Sequence, residues 1–333
     1  MKFAPLGKSG MEASVIGFGS WAIGGWKWGG ADAKDAVAAV QTALDSGINL
    51  IDTAPVYGFG LSEELVGEAI KGRKREDILI ATKCGLRFHV EEVDGRFTPH
   101  GSSAPGQEIY RNLTRDSVRM EIEQSLKRLG TDYIDLYQPH WQDPNVAPAE
   151  IMGTLLELKK EGKIRAIGTC NASVDELDAY SAVGQLDTDQ ELYNALERQR
   201  EETNLAWCAN NDSGFLAYSP MAQGLLTGKM PPERTFPESD LRHGNPKYSI
   251  ENRTRVGEML AKVQPIADAH NARLEHVMLA WTLSQRGCSH VLVGGRNAEQ
   301  AAANAKAGAL TLASDELAAV SAAVDAFGGL SGV

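Results

Sequence analysis

One feature constrains this chain more than any other: from residue 15 onward, short β-branched or apolar runs alternate with stretches of helical period, and glycine punctuates nearly every change. Strands are expected at residues 15–19, 48–52, 78–82, 133–138, 165–169, 187–191, 215–218 and 291–294. A strand that reaches the next through a helix pairs with it in parallel. Eight such units within 333 residues are what a closed α/β barrel needs, and barrels of this length fold as one domain. The expected fold is therefore α/β, a (β/α)8 TIM barrel, as a single domain over residues 1–333.

The helical stretches carry their own boundaries. One starts near Asp32, places Val37, Val40 and Leu44 on one face, and stops at Gly47. Another sets Val118, Ile122, Leu126 and Leu129 inward before Gly130, and a third sets Ile151, Leu155 and Leu158 inward before Lys159, Lys160 and Gly162. Ser173-Val174-Asp175-Glu176 spells a capping box. Residues 1–14 read as an N-terminal β-hairpin turning at Lys8-Ser9-Gly10 and closing the barrel floor. Residues 87–114 and 224–252 exceed ordinary loop length and are expected as long loops at the C-terminal mouth.

Charge and cysteine usage narrow the function. A net charge of −11 gives no broad positive field for phosphate backbones or anionic lipid, so neither nucleic acid nor membrane is an expected partner. The start, Met1-Lys2-Phe3-Ala4-Pro5-Leu6-Gly7, has no secretory signature and no apolar run has membrane-spanning length, so a cytoplasmic protein is the expectation. Cys84, Cys170, Cys208 and Cys288 are too scattered for a disulfide framework or a zinc pattern; no metal is expected.

In an α/β barrel the C-terminal strand ends converge on one site, which gives weight to polar residues just beyond them. Asp52 ends Ile48-Asn49-Leu50-Ile51-Asp52, with Tyr57 five residues on; Lys83 ends Ile78-Leu79-Ile80-Ala81-Thr82-Lys83; His140 follows Asp135-Leu136-Tyr137-Gln138-Pro139. Singly, each has a plain structural use: a cap, a snorkelling lysine, an aromatic wall, a core histidine. Together they form a proton-transfer set. A phenol holds its proton up to a pKa of about 10, a neighbouring lysine cation draws that value down, a carboxylate keeps the lysine charged, and an imidazole can hold a carbonyl oxygen. Such a set protonates an alkoxide formed by hydride transfer. Gly17-Phe18-Gly19 lacks a third glycine at dinucleotide-fold spacing and is no Rossmann fingerprint.

The sequence resembles the aldo-keto reductase superfamily, in its bacterial, broad-specificity aldehyde and polyol type, over nearly its whole length. The matching segments are Gly17-Phe18-Gly19-Ser20-Trp21, Ile51-Asp52-Thr53-Ala54-Pro55-Val56-Tyr57-Gly58, Ala81-Thr82-Lys83, His140-Trp141, Ile167-Gly168-Thr169-Cys170-Asn171, Leu216-Ala217-Tyr218-Ser219-Pro220 and Gly294-Gly295-Arg296-Asn297-Ala298-Glu299-Gln300. The resemblance implies Tyr57 as general acid, Lys83 and Asp52 as its tuning pair, and His140 as the group orienting the carbonyl. It implies a nicotinamide cofactor, NADP(H) preferred and NAD(H) possible. Asn171 and Gln190 would bond the carboxamide and Tyr218 would stack on the ring. Gly19, Ser20, Trp21, Asp52, Cys170 and Pro220 complete that end. Ser219, Met221, Gln223, Gly224 and Lys229 would follow the pyrophosphate, and Gly294, Arg296, Gln300 and Asn304 the adenosine. A guanidinium at a loop-to-helix junction suits a 2′-phosphate.

By the same resemblance the substrate pocket takes Trp21, Tyr57, Phe88, His140 and Trp141, with Trp26, Trp28 and Phe59 as further aromatic candidates. The expected substrates are small aldehydes or hydroxyaldehydes of the glyceraldehyde type, with polyols such as glycerol oxidised in reverse, by a monomer or homo-oligomer. Three departures from the family pattern stand out. Pro139 removes a backbone donor beside His140, and Val293-Gly294-Gly295 replaces a Pro-Gly-Ala-like turn. Cys170 stands where serine is usual, which is expected to weaken nicotinamide binding or leave a thiol open to oxidation. Two other readings use the same residues: a Schiff-base lyase or aldolase with Lys83 as nucleophile, and a regulatory subunit sensing the NADP(H) ratio.

Overall fold

The computed structural model describes residues 1–25, 31–90, 98–100, 108–238 and 240–332. The strands are β1 (Phe3–Pro5), β2 (Glu12–Ser14), β3 (Ile16–Gly19), β4 (Leu50–Asp52), β5 (Leu79–Cys84), β6 (Leu86–Phe88), β7 (Thr98–Pro99), β8 (Ile109–Arg111), β9 (Ile134–Pro139), β10 (Ile164–Cys170), β11 (Thr188–Leu192), β12 (Gly214–Tyr218) and β13 (Cys288–Gly294). The helices are α1 (Trp21–Gly24), α2 (Ala33–Asp45), α3 (Leu61–Ile70), α4 (Arg115–Leu129), α5 (Pro148–Lys160), α6 (Val174–Ser181), α7 (Ala206–Asn210), α8 (Ile250–Ala269), α9 (Leu274–Ser284), α10 (Ala298–Ala305) and α11 (Ser314–Phe327). Eight parallel strands close in the order β3-β4-β5-β9-β10-β11-β12-β13, and β13 pairs back onto β3. All eight expected strands are present, with edges shifted by one to three residues.

Alternation along these strands separates two cores. Leu50, Ala81, Leu136, Ala166, Leu216 and Leu292 fill the barrel interior, while Ile51, Ile80, Tyr137, Ile167, Ala217 and Val291 pack under the surrounding helices. The β1–β2 hairpin closes the floor by adding Leu6, Met11 and Ala13 to the interior cluster. The helix signals act as expected. Asp32 accepts the Lys34 N–H at the start of α2, and Ser173 and Glu176 form a reciprocal capping box on α6. No single described helix is long and apolar enough to cross a membrane.

The expectation of loop structure over 87–114 needs correction. Its described part pairs β8 between β6 and β7 in an antiparallel sheet over the mouth. Strands of two or three residues interrupted by charged and glycine-rich sequence have too short a period-two pattern to read. The described part of 224–252 is largely irregular between the 3-10 stretch that ends at Thr227 and the start of α8 at Ile250, with a further 3-10 turn at Pro246–Tyr248. Trp26 and Trp28 lie outside the described residues.

Candidate active site

The turn after β4 delivers Tyr57 to the mouth. Its Tyr57 N–H donates to the Ala54 carbonyl at 3.1 Å, and the Ser62 N–H donates to the Tyr57 carbonyl at 3.1 Å, so the turn leads directly into α3. Gly58 sits at φ +68° against Gly24, and a Cβ there would meet the Gly24 carbonyl oxygen at 2.1 Å. Replacing Gly58 with alanine combines a left-handed backbone with a main-chain clash. We expect Gly58→Ala to cost more than the roughly 1–2 kcal/mol of the backbone term alone, visible as a lower melting temperature, and to reduce turnover by displacing Tyr57.

Beneath Tyr57 lies a buried ion pair. Lys83 Nζ donates to Asp52 Oδ1 at 2.7 Å and to the Thr53 carbonyl at 2.9 Å, and stands 5.1 Å from the Tyr57 ring centre. Gln190 Nε2 donates to the same Asp52 oxygen at 2.9 Å. Burial of Lys83 lowers its pKa, but the nearby charges, Asp52 foremost, outweigh this and hold the ammonium above its ordinary range. Burial pushes the Tyr57 phenol upward, and this outweighs the downward pull of Lys83. Lys83 draws the phenol downward, as the sequence leads one to expect, but burial, which the sequence does not show, acts in the opposite direction and prevails.

His140 faces Tyr57 edge-on, with ring centres 5.7 Å apart and planes at 80°. Burial, Lys83 and His100 together push its pKa well below the usual histidine value, so the imidazole is neutral at physiological pH. Pro139 does not loosen the main chain there. The His140 N–H donates to the Cys84 carbonyl at 2.9 Å, and Asn171 Nδ2 donates to the His140 carbonyl at 3.0 Å. Both main-chain polar groups of His140 stay anchored although the preceding residue has no donor.

A continuous cavity of about 820 Å³ opens from these groups and runs along the mouth. Near Tyr57 and His140 its wall includes Asp52, Cys170, Asn171, Gln190 and Tyr218, together with Gly19 and Trp21. Ser219, Pro220, Met221, Gln223, Gly224 and Lys229 follow, and Gly294, Arg296, Gln300 and Asn304 line it too. Asn171, Ser219, Ala222 and Gln223 all adopt positive φ here, a concentration of strain typical of ligand sites.

Four residues, Phe59 among them, stand elsewhere. Ser20 lies behind the wall, its hydroxyl bonded to Ser62 at 2.6 Å, with Ser62 in turn 2.9 Å from the Thr53 hydroxyl. Lys83 is fully buried beneath Tyr57. Phe88 is outside the lining and packs edge-on against Phe59 at 5.3 Å. Cys170 is buried and its thiol is pushed well upward, first by desolvation. The expectation of an oxidisable thiol is therefore corrected, because the reactive thiolate is disfavoured.

The cavity also receives residues that sequence reasoning did not select. Leu86 and Ile109, from the antiparallel sheet, and Val56 give one apolar wall, with His100 packed 5.3 Å from the Trp141 ring. Arg234, Arg242 and Lys247 come from the irregular segment, Arg273 and Glu275 from the start of α9, and Glu197 from the turn after β11. Arg242 pairs with Asp240 at 2.6 Å, and Lys229 with Glu275 at 2.9 Å. No one-dimensional pattern marks these positions; the arginine density of 234–255 is the nearest signal.

The donor set fits an elongated anionic dinucleotide. Amide and phenol groups lie at the Tyr57 end, and Lys229, Arg234, Arg242 and Arg296 supply cations farther along. Arg296 precedes α10, where Asn297 caps the helix and Gln300 accepts the Arg296 N–H at 3.0 Å. Gly19 and Gly294 leave the wall low beside β3 and β13.

Comparison with known proteins agrees with this geometry. The model of the aldo/keto reductase family matches residues 15–325. The aldo-keto reductase YhdN of Bacillus subtilis is 40% identical over 321 residues, spanning 95% of this chain and 91% of its own. A protein named NADH-specific methylglyoxal reductase, from Escherichia coli, is 39% identical over 312 residues, covering 92% and 93% of the two chains. Among solved structures, a glycerol dehydrogenase from Gluconobacter oxydans superposes with a TM-score of 0.85 at 34% identity, covering 96% of this chain and 93% of that one. The barrel, its polar mouth and these matches lead to one conclusion: the chain is an oxidoreductase that belongs to the aldo/keto reductase family.

Proposed function

We propose that the protein is an NADP(H)-preferring enzyme that reduces small aldehydes and hydroxyaldehydes of the glyceraldehyde type and oxidises polyols such as glycerol in reverse. The observation carrying this reading is the convergence of Tyr57 and His140 at one end of a long cavity whose remaining polar groups suit a dinucleotide. A nicotinamide cofactor, when bound, supplies hydride to a carbonyl carbon or accepts it from an alcohol. His140, neutral, donates a hydrogen bond that orients the carbonyl oxygen. Tyr57 donates its proton to that oxygen as negative charge develops there. Lys83, fixed by Asp52, faces the phenol with a positive charge that stabilises the phenolate left behind. Asn171, Gln190 and Tyr218 present hydrogen-bonding and ring surfaces to the carboxamide end. The apolar wall of Trp21, Val56, Leu86, Ile109 and Trp141 limits the acyl group and excludes water.

Small oxygenated substrates also agree with the names of the Escherichia coli and Gluconobacter oxydans relatives, one a methylglyoxal reductase and the other a glycerol dehydrogenase. Preference for NADP(H) rests on Arg296 before α10, with Arg234 and Arg242 on the same cavity. A planar guanidinium beside free helix N–H groups holds a 2′-phosphate through charge-assisted bonds. The test is a cofactor-absorbance assay with NADPH and NADH against aldehydes, ketones and polyols, performed on wild type and Arg296→Ala. We expect the variant to raise the KM for NADPH by about ten- to a hundredfold, the value of one or two charge-assisted bonds, and to leave that for NADH nearly unchanged. Equal losses with both cofactors would refute the 2′-phosphate role, and wild-type inactivity across the panel would refute the substrate class.

A further inference from the structure

Outside the reacting groups lies a buried polar cluster with no part in the steps above: Asp189 and Glu191 on β11, with Asn204 beyond its end and the partly exposed Arg200 paired to Glu191. Its bonds converge on one residue. Glu191 Oε1 accepts the Ala172 N–H at 2.8 Å, and Asn204 Nδ2 donates to the Ala172 carbonyl at 2.8 Å. Both main-chain groups of Ala172 are thus held by side chains of another segment. Asn204 Nδ2 also donates to Asp189 Oδ2 at 2.8 Å, Thr169 Oγ1 donates to Asp189 Oδ1 at 2.9 Å, and Arg200 Nε pairs with Glu191 Oε2 at 2.9 Å.

The residue before this clamped unit is Asn171, held at φ +55°. Its side chain is fully directed: Nδ2 donates to the His140 carbonyl at 3.0 Å and to Cys170 Sγ at 3.1 Å, while Oδ1 accepts the Tyr218 hydroxyl at 2.9 Å. A left-handed asparagine costs free energy unless its surroundings over-determine it. The Glu191 bond fixes the peptide joining Asn171 to Ala172, the Asn204 bond fixes the peptide after it, and the Asn171 side chain held in this way ties Tyr218 and the His140 backbone into one orientation. Two carboxyls are buried to build the clamp. Desolvation pushes Glu191 above its ordinary range, and Asp189 adds to this while Arg200 opposes it. A cost of that kind at a loop junction points to a positional duty rather than to stability alone.

We propose that Glu191 and Asn204 are positioning residues that clamp Ala172 and thereby set Asn171 and Tyr218 for the nicotinamide end of the cofactor. The inference rests on the functional reading above, in which Asn171 and Tyr218 meet that end. It separates the two ends of the ligand. Loosening the clamp weakens contacts to nicotinamide and leaves the adenosine contacts of Arg296, Gln300 and Asn304 untouched.

The test uses two probes, NADPH and adenosine 2′,5′-bisphosphate, titrated by intrinsic fluorescence into wild type, Glu191→Ala, Asn204→Ala and the conservative Glu191→Gln. We expect both alanine variants to raise the Kd for NADPH about tenfold, the effect of roughly one lost hydrogen bond, with the bisphosphate Kd unchanged. Glu191→Gln keeps an acceptor for the Ala172 N–H and recovers most of the loss. Equal weakening of both probes, or no change in either, overturns the proposal. Should Glu191→Ala not fold, Asn204→Ala and Glu191→Gln decide it by the same comparison. A wild type that binds the bisphosphate yet not NADPH more tightly also overturns it. A wild type that binds neither probe overturns the functional reading itself.

Discussion

Replacing Tyr57 with phenylalanine is expected to lower kcat for aldehyde reduction by about a thousandfold, within the 10²–10⁴ range of a general acid, while leaving the Kd for cofactor unchanged. The ring and its edge-on contact with His140 survive the change; only the transferable proton is lost. Single-turnover absorbance decay of bound NADPH measures the first quantity and fluorescence titration the second. A variant retaining more than a tenth of wild-type activity would assign the proton to another group, with His140 the nearest alternative. The pH dependence follows from the direction of the phenol shift. Because burial raises the Tyr57 pKa above its ordinary value, the proton donor is present throughout the neutral range and reduction is flat there. Oxidation needs the phenolate, so its rate climbs with pH through the alkaline range. An oxidation rate independent of pH would remove Tyr57 as the base.

The second large effect concerns the buried pair. Lys83→Met leaves the Asp52 carboxylate buried and facing only the Gln190 amide. Removing one partner of such a pair costs about 3–5 kcal/mol, so we expect a lower denaturation midpoint together with a collapse of kcat. Replacing both residues by apolar ones, Asp52→Leu with Lys83→Met, is expected to restore much of the stability and none of the activity, because no uncompensated charge remains. Stability that stays low in the double variant would mean that Lys83 acts through packing rather than charge. Linkage sets the pH window. The folded pKa of Lys83 is raised, so its contribution to stability is fully present below the unfolded lysine value of about 10.4. That contribution is lost as pH rises through the higher folded value. Denaturant midpoints taken at neutral and strongly alkaline pH, in wild type and in the double variant, isolate it.

Much of the candidate site was legible because barrel geometry converts strand order into spatial order. Asp52, Lys83 and His140 sit at or just past three strand ends, and closure of the barrel brings such ends together wherever they fall in the chain. Tyr57 was readable for the same reason, five residues beyond β4 in a turn bounded by Pro55 and Gly58. Less legible were contributions from irregular chain. Arg242 and Lys247 reach the cavity through a segment without period, and Leu86 and Ile109 reach it through three-residue strands. Ser20 and Phe88 illustrate the converse error. Both occur in or beside family-like or aromatic sequence, yet Ser20 turns inward to Ser62 and Phe88 packs against Phe59. Adjacency in sequence fixes the neighbourhood of a side chain but not the direction it takes.

The alternation of short apolar runs with stretches of helical period, with its capping and turn residues, was enough to determine the barrel, its hairpin floor and the strand ends at or just past which Asp52, Lys83 and His140 stand. Those are local properties, since hydrophobic period and backbone preference are written into each segment. Tertiary structure alone decided the electrostatics. Whether Tyr57 titrates up or down depends on desolvation by every element around it, weighed against one lysine cation. Whether Cys170 is reactive depends on burial, and whether Asn171 is held depends on Glu191 and Asn204, 20 and 33 positions away along the chain. Burial and long-range contact are properties of the closed barrel as a whole, and no segment carries them before it closes.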